Sequence, residues 1–183
     1  MKDGTFEYGN LAFCGDNTFI SGNVEIRRPA LVSVGSNTAI DSGFYCTVRA
    51  DIGDYVHIAP YITVIGGANG SLKMEHFSTL AAGSRIICGS DNHMGDGLVG
   101  PKIPEEFKDS LKIAPVIFEK FANIGTGVVV MPGVVLSEGC VVGANSLVTE
   151  STDPWTVYVG SPARAIKKRP KSKILEFAKR MGY

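Results

Sequence analysis

"VGSNTAIDSGFYCTVRADIGDYVHIAPYITV", residues 34–64, carries an apolar side chain at every sixth position: Val34, Ile40, Cys46, Ile52, Ile58 and Val64. A six-residue period fits neither the 3.6 of a helix nor the 2.0 of a long strand. It fits a solenoid of short parallel strands joined by tight corners, with three hexapeptides closing one triangular coil. The ladder slips and resumes as Met74, Leu80 and Ile86, then returns after a longer break as Phe118, Ile124, Val130, Leu136, Val142 and Val148. A second ladder runs four residues behind the first: Thr38, Phe44, Ala50, Val56 and Ile62, then Ser78 and Ser84, then Ala122, Val128, Val134, Cys140 and Ser146. Small or acidic residues follow the first ladder, among them Gly35, Asp41, Gly53, Ala81, Gly125 and Gly143, and suit a tight corner. A β-sandwich with accidentally recurring strands would not hold register through six consecutive rungs twice. The predicted fold class is therefore all-β, a parallel β-helix whose coils stack at strand spacing, about 4.8 Å.

Outside these runs the pattern changes. Phe13 and Phe19 are six apart, but "NVEIRRPALVSV" blurs the phase, so residues 11–33 read as an irregular first coil. At the other end "KSKILEFAKRMGY" puts Ile174, Phe177, Ala178 and Met181 on one helical face, with Pro170 as a stop and Ser172 as the N-cap. The expected organisation is one repeat domain over residues 1–169 and a C-terminal α-helix over 170–183.

Eighteen Lys and Arg balance eighteen Asp and Glu, which argues against nucleic acid as a partner, since that surface needs a basic excess. Cys14, Cys46, Cys88 and Cys140 form no C-x-x-C pair, so zinc-ribbon and thioredoxin-type chemistry has no support. No signal-like segment and no run of about 18 apolar residues is present. The expectation is a cytoplasmic protein without a membrane span.

Two interruptions break the rhythm. "GGANGSLKM" (66–74) is short. The other, about 92–114, is long, charged and proline-bearing, and long excursions from compact scaffolds tend to be functional. "SRIICGSDNHMGDGLVG" (84–100) sets His93 at its start. If 66–73 is looped out, His57, His76 and His93 fall on the same face of the prism.

Three stretches carry a family likeness: "GSDNHMGDG", "IGTGVVVMPGVVLSEGCVVGANSLVT" and "PWTVYVGSPARAIKKR". On these, residues from about 34 to 169 resemble the hexapeptide-repeat acetyltransferases, particularly the galactoside and xenobiotic (streptogramin-type) enzymes. The resemblance implies a left-handed winding, against the usual right-handed crossover preference. It implies a homotrimer with active sites between subunits, and transfer of an acetyl group from acetyl-CoA to a hydroxyl or amine, with a sugar favoured as acceptor. It makes His93 the catalytic general base, a role suited to an imidazole because such rings titrate near about 6.5. For acetyl-CoA, position-by-position matching gives Thr126, Ala144, Thr149, Arg164 and Lys167, the last two facing phosphates. No metal is expected. The galactoside enzymes' sugar-binding N-terminal region has no counterpart here, and neither Asp91 nor Asp96 is singled out as the residue that orients His93.

Three readings compete with a sugar acetyltransferase. One is an antibiotic O-acetyltransferase. Another is a γ-type carbonic-anhydrase-like metalloprotein, because "TVRADIGD" (47–54) looks like that family's Arg-x-Asp segment and three histidines could hold zinc; in that family, however, the two downstream histidines lie close together, whereas His76 and His93 are separated here. The third is a non-catalytic scaffold.

Overall fold

The computed structural model describes residues 6–183. Strands as short as two residues pair in parallel with strands one turn away, giving three sheets of six, eight and six strands. Each sheet is one face of a prism. The inward rungs stack in columns. On the first sheet Val34 lies beside Ile52, Ile52 beside Met74, Met74 beside Phe118, and Phe118 beside Leu136. On the second sheet the column runs Ile20, Ile40, Ile58, Leu80, Ile124 and Val142. On the third it runs Ile26, Cys46, Val64, Ile86, Val130 and Val148. These rungs form one continuous buried core, with Ile26 packed at its margin.

The second ladder is buried as well, and its hydroxyls serve the corners. Ser84 Oγ has two carbonyl acceptors for its one proton, Ala81 O (2.8 Å) and Gly125 O (3.0 Å), and accepts from the Val128 N–H (3.2 Å). Thr38 Oγ1 likewise donates to Gly53 O and accepts from the Val56 N–H. A buried corner amide without such a partner would cost about 1–3 kcal/mol. Small hydroxyl residues therefore recur at rungs where an aliphatic residue would pack but leave backbone unsatisfied.

The first coil is regular, contrary to the sequence reading. Its strands are Phe13–Cys14, Phe19–Ile20 and Glu25–Ile26, and Cys14, Ile20 and Ile26 take the rungs while Phe13 and Phe19 face solvent, 58% and 49% exposed. Extra residues at a single corner, including the 3-10 turn Pro29–Leu31, reset the phase before Val32. The excursions at 66–70 and 88–114 open at the same edge, between the third and first sheets.

The edge between the first and second sheets is built differently. Tyr55, Phe77, Phe121 and Trp155 hold left-handed corner positions with φ of 52° to 63°. A non-glycine residue there costs about 1–2 kcal/mol. Stacking offsets it: ring centroids are 5.0 Å apart for Tyr55–Phe77 and 5.3 Å for Phe77–Phe121. The α-helix Ser172–Arg180 packs on this aromatic column through Ile174 and the buried Ala178. Its N-cap is Lys171, with no side-chain cap bond, rather than Ser172. Phe177 and Met181, predicted on the packed face, border a cleft of about 270 Å³ and remain half exposed. Tyr183 fastens the end of the chain by donating to Asp54 Oδ2 (2.8 Å). No helix of the described residues is long and apolar enough to cross a membrane.

Candidate active site

The long excursion is folded rather than loose. Its root is an antiparallel pair, Gly89–Asp91 with Leu111–Ile113, extended by Asn92 N–H to Ser110 O at 2.9 Å. A bridge between Leu98 and Lys108 and the 3-10 turn Glu105–Phe107 order the tip. The tip exposes Met94, Leu98, Val99 and Phe107 to solvent.

His93 stands just beyond the root, exposed, at φ +59°. Its N–H donates to Asp109 Oδ2 at 2.6 Å. Asp109 is 4% exposed, and its Oδ1 accepts from the Ser110 N–H at 2.8 Å. The carboxylate that holds this residue is thus neither Asp91 nor Asp96. Asp91 borders a separate cleft of about 270 Å³ with Gly100, Pro101, Lys108 and Leu111, and Asp96 is exposed.

The five residues expected at acetyl-CoA are all exposed. Thr126 and Ala144 occupy successive coils of one edge, between the second and third sheets, joined by the Asn145 N–H to Thr126 O bond at 2.9 Å. That edge is closely packed: a Cβ on Gly125 would stand 2.7 Å from Ala144 N. At this edge the coils stack closely and leave Thr126 and Ala144 exposed on its outer surface. Thr149 follows the last strand of the third sheet, Leu147–Val148. Arg164 and Lys167 lie on the strand Arg164–Lys168, antiparallel to Thr156–Val159. Three residues apart on a plain strand, they would point to opposite faces. A register shift instead pairs Arg164 with Val159 and Lys167 with Val157, so the irregularity turns both cations to one face. Arg164 also borders a cleft of about 290 Å³ that contains Glu150 and Asp153.

The structure therefore stacks Thr126 on Ala144 and aligns Arg164 with Lys167, but sets His93 on a different edge. The three histidines do not share a face, as the looped-out reading would have it. His57 is on the outside of the second sheet, its Nε2 2.9 Å from Asp41 Oδ2. His76 is at the edge between the first and second sheets, where Nδ1 accepts from the Asp54 N–H at 2.9 Å. The 66–70 insertion does not restore the face, because it falls at a third edge. Among the described residues no group of three His, Cys, Asp or Glu side chains is placed to hold a metal ion.

The Asp54 carboxyl sits below its ordinary range. Burial alone would raise it, but bonds from the Tyr183 hydroxyl and the Ser36 N–H, with the His76 ring nearby, outweigh that. The buried thiols go the other way: desolvation pushes Cys46 and Cys140 to about 11 and Cys88 to about 12. They remain protonated at neutral pH, which suits packing and not nucleophilic attack.

No family model matches the chain. A dTDP-4-amino-4,6-dideoxy-D-glucose acyltransferase from Escherichia coli is 33% identical over 88% of this chain and 84% of its own length. AntD, an N-acyltransferase from Bacillus cereus solved in complex with dTDP and 3-hydroxybutyryl-CoA, superposes with a TM-score of 0.88 at 35% identity, covering 95% of this chain and 93% of its own. A variant of AntD was solved with dTDP-4-amino-4,6-dideoxyglucose and coenzyme A. A hexapeptide-repeat-containing acetyltransferase from Vibrio cholerae O1 biovar eltor, complexed with acetyl coenzyme A, shares the fold at a TM-score of 0.61 and 17% identity over 88% of this chain and 73% of its own. The coils are those of the left-handed parallel β-helix.

Proposed function

The chain belongs to the hexapeptide-repeat acetyltransferase family, and on that premise we propose that it transfers an acyl group from a coenzyme A thioester to the amino group of a nucleotide-linked sugar. The observation that carries this reading is the likeness, along nearly the whole chain, to acyltransferases whose named acceptor is an amino sugar on dTDP. The sequence left a hydroxyl and an amine both open; the amine is preferred because AntD is an N-acyltransferase.

His93 is assigned as the proton acceptor. The acceptor nitrogen forms its bond to the thioester carbonyl carbon, the carbon–sulfur bond breaks, and the nitrogen's proton leaves. His93 takes that proton and returns it to the departing sulfur, so an amide and a thiol result with no net proton change. Thr126 and Ala144 are assigned to the channel for the pantetheine arm, where a larger side chain would obstruct it. Thr149 is assigned beyond them, and Arg164 and Lys167 to the phosphates. Because His93 and the channel stand on different edges of one prism, the proposed site is completed by a second copy, as in a homotrimer with sites between subunits. The exposed apolar tip of the loop supports this, since Met94 is 74% exposed on a lone chain.

Two outcomes follow. Arg164→Ala raises the KM for acetyl-CoA about tenfold, the value of one lost charged contact near 1.4 kcal/mol, with kcat unchanged; initial rates at varied acetyl-CoA check this. His57→Asn keeps kcat within about twofold, as a surface substitution should, even though the His57 ring has a carboxylate oxygen of Asp41 at 2.9 Å. A large loss of kcat in that variant would move the base from the loop to the second sheet.

A further inference from the structure

We propose that Asp109 is the positioning residue of the site: its buried carboxylate latches the extruded loop and fixes the backbone at His93 so that the imidazole is presented outward. This rests on the assignment of His93 as the proton acceptor. The latch itself rests on geometry.

The two ends of the loop meet at this carboxylate. Oδ2 accepts the N–H of His93, sixteen residues earlier in the chain, and Oδ1 accepts the N–H of Ser110. The Asp109 N–H donates in turn to Leu98 O at 3.0 Å. One residue thus ties the outgoing arm, the tip and the returning arm together. A carboxylate so deeply buried persists only where hydrogen bonds replace its water, and backbone N–H groups do that here.

His93 occupies the left-handed region that only Gly, and sometimes Asn or Asp, visits readily. Strained positions endure when their surroundings over-determine them, and they cluster where geometry serves chemistry. The short bond to Asp109 supplies that constraint. It acts on the His93 backbone, so the ring nitrogens remain available for proton transfer.

Gly97 completes the device. A Cβ there would stand 2.4 Å from Asp109 N and 2.5 Å from Lys108 O, both backbone atoms that cannot swing aside. The arms close on each other only because position 97 has no side chain. Gly97→Ala therefore opens the latch without altering a charge.

The test is a mutant cycle on the full-length protein, using His93→Ala, Asp109→Asn, Gly97→Ala and the pair H93A/D109N. Asp109→Asn keeps the size of the side chain but can accept only one of the two N–H bonds. The expected result is a kcat lowered by about 10- to 100-fold, the scale of a catalytic group displaced by roughly 1 Å, with the KM for acetyl-CoA and the thermal midpoint near wild type. Gly97→Ala should reproduce it. In the His93→Ala background Asp109→Asn should cost nothing further, because it acts through His93. An equal loss in both backgrounds overturns the proposal. Hydrogen exchange over residues 92–99 reads the latch independently of activity: D109N and G97A should lose protection there. Unchanged protection rejects the latch. Lost protection combined with a fully active His93→Ala keeps the latch but removes its catalytic purpose and the assignment of His93 as base.

Discussion

His93→Ala lowers kcat by about 10²- to 10⁴-fold, the usual contribution of a positioned acid–base group, while the KM for acetyl-CoA and the oligomeric state stay as in wild type. The separation of effects follows from placement. Thr126 and Ala144 lie at the edge between the second and third sheets, and His93 lies in the excursion between the third and first. Removing the imidazole leaves the edge proposed to bind the thioester untouched. Its loss also leaves intact the backbone bond to Asp109, which uses the His93 N–H and not the ring. The loop should keep its shape, so the rate change reports proton transfer. Initial rates of thiol release at saturating acetyl-CoA, with size-exclusion chromatography of the variant, provide the check. A kcat near wild type would end the assignment.

Phe118→Ala destabilises the protein by about 3–5 kcal/mol, as a large-to-small change at a closed core position does. Phe118 is fully buried and sits in its column between Met74 below and Leu136 above. In a stacked solenoid each coil is held mainly by its two neighbours, so the cavity weakens both interfaces of a central coil at once. It also adjoins the point where the chain re-enters the prism after the excursion, and the loop root should loosen with it. Phe19→Ala is the matched control: the same residue type, six positions from Phe13 in the sequence pattern, but facing solvent. It should change stability by no more than about 0.5 kcal/mol. Denaturant unfolding of both variants at one protein concentration makes the comparison.

Those two phenylalanines show how far the sequence pattern carries. The six-residue ladder from Val34 to Val64 and from Phe118 to Val148 was legible because every rung buries one side chain in the same core. Phe13 and Phe19 kept the spacing but left the first coil reading as irregular, since periodicity gives the interval but not the phase. The extra residues before Val32 shift the phase, and nothing local to "RRPAL" says by how much. The same blindness affected the histidines. Their spacing suggested a common face, but the insertion at 66–70 and the turn at His76 each belong to a different edge.

The site was legible in part. The break in rhythm and the turn residues around His93 pointed to the loop. Asp109 was not visible, because its role depends on a contact sixteen residues away across a folded hairpin, and "FKDSL" reads as a solvated charged run. The one clue was Gly97, a glycine in a segment whose arms had to approach each other. Likewise the common facing of Arg164 and Lys167 needed the register shift beside Val157, which three-residue spacing alone argues against.

Acyl transfer to the amine of a nucleotide-linked sugar is the activity to be measured. The most direct test is to incubate the purified protein with acetyl-CoA and dTDP-4-amino-4,6-dideoxyglucose and follow free thiol and product mass together. Thiol release should depend on the amino sugar and be matched mole for mole by a nucleotide sugar that has gained one acetyl group on nitrogen. Thiol release no faster than in the absence of acceptor, with this and other amino- and hydroxy-sugar nucleotides alike, would contradict the proposed activity.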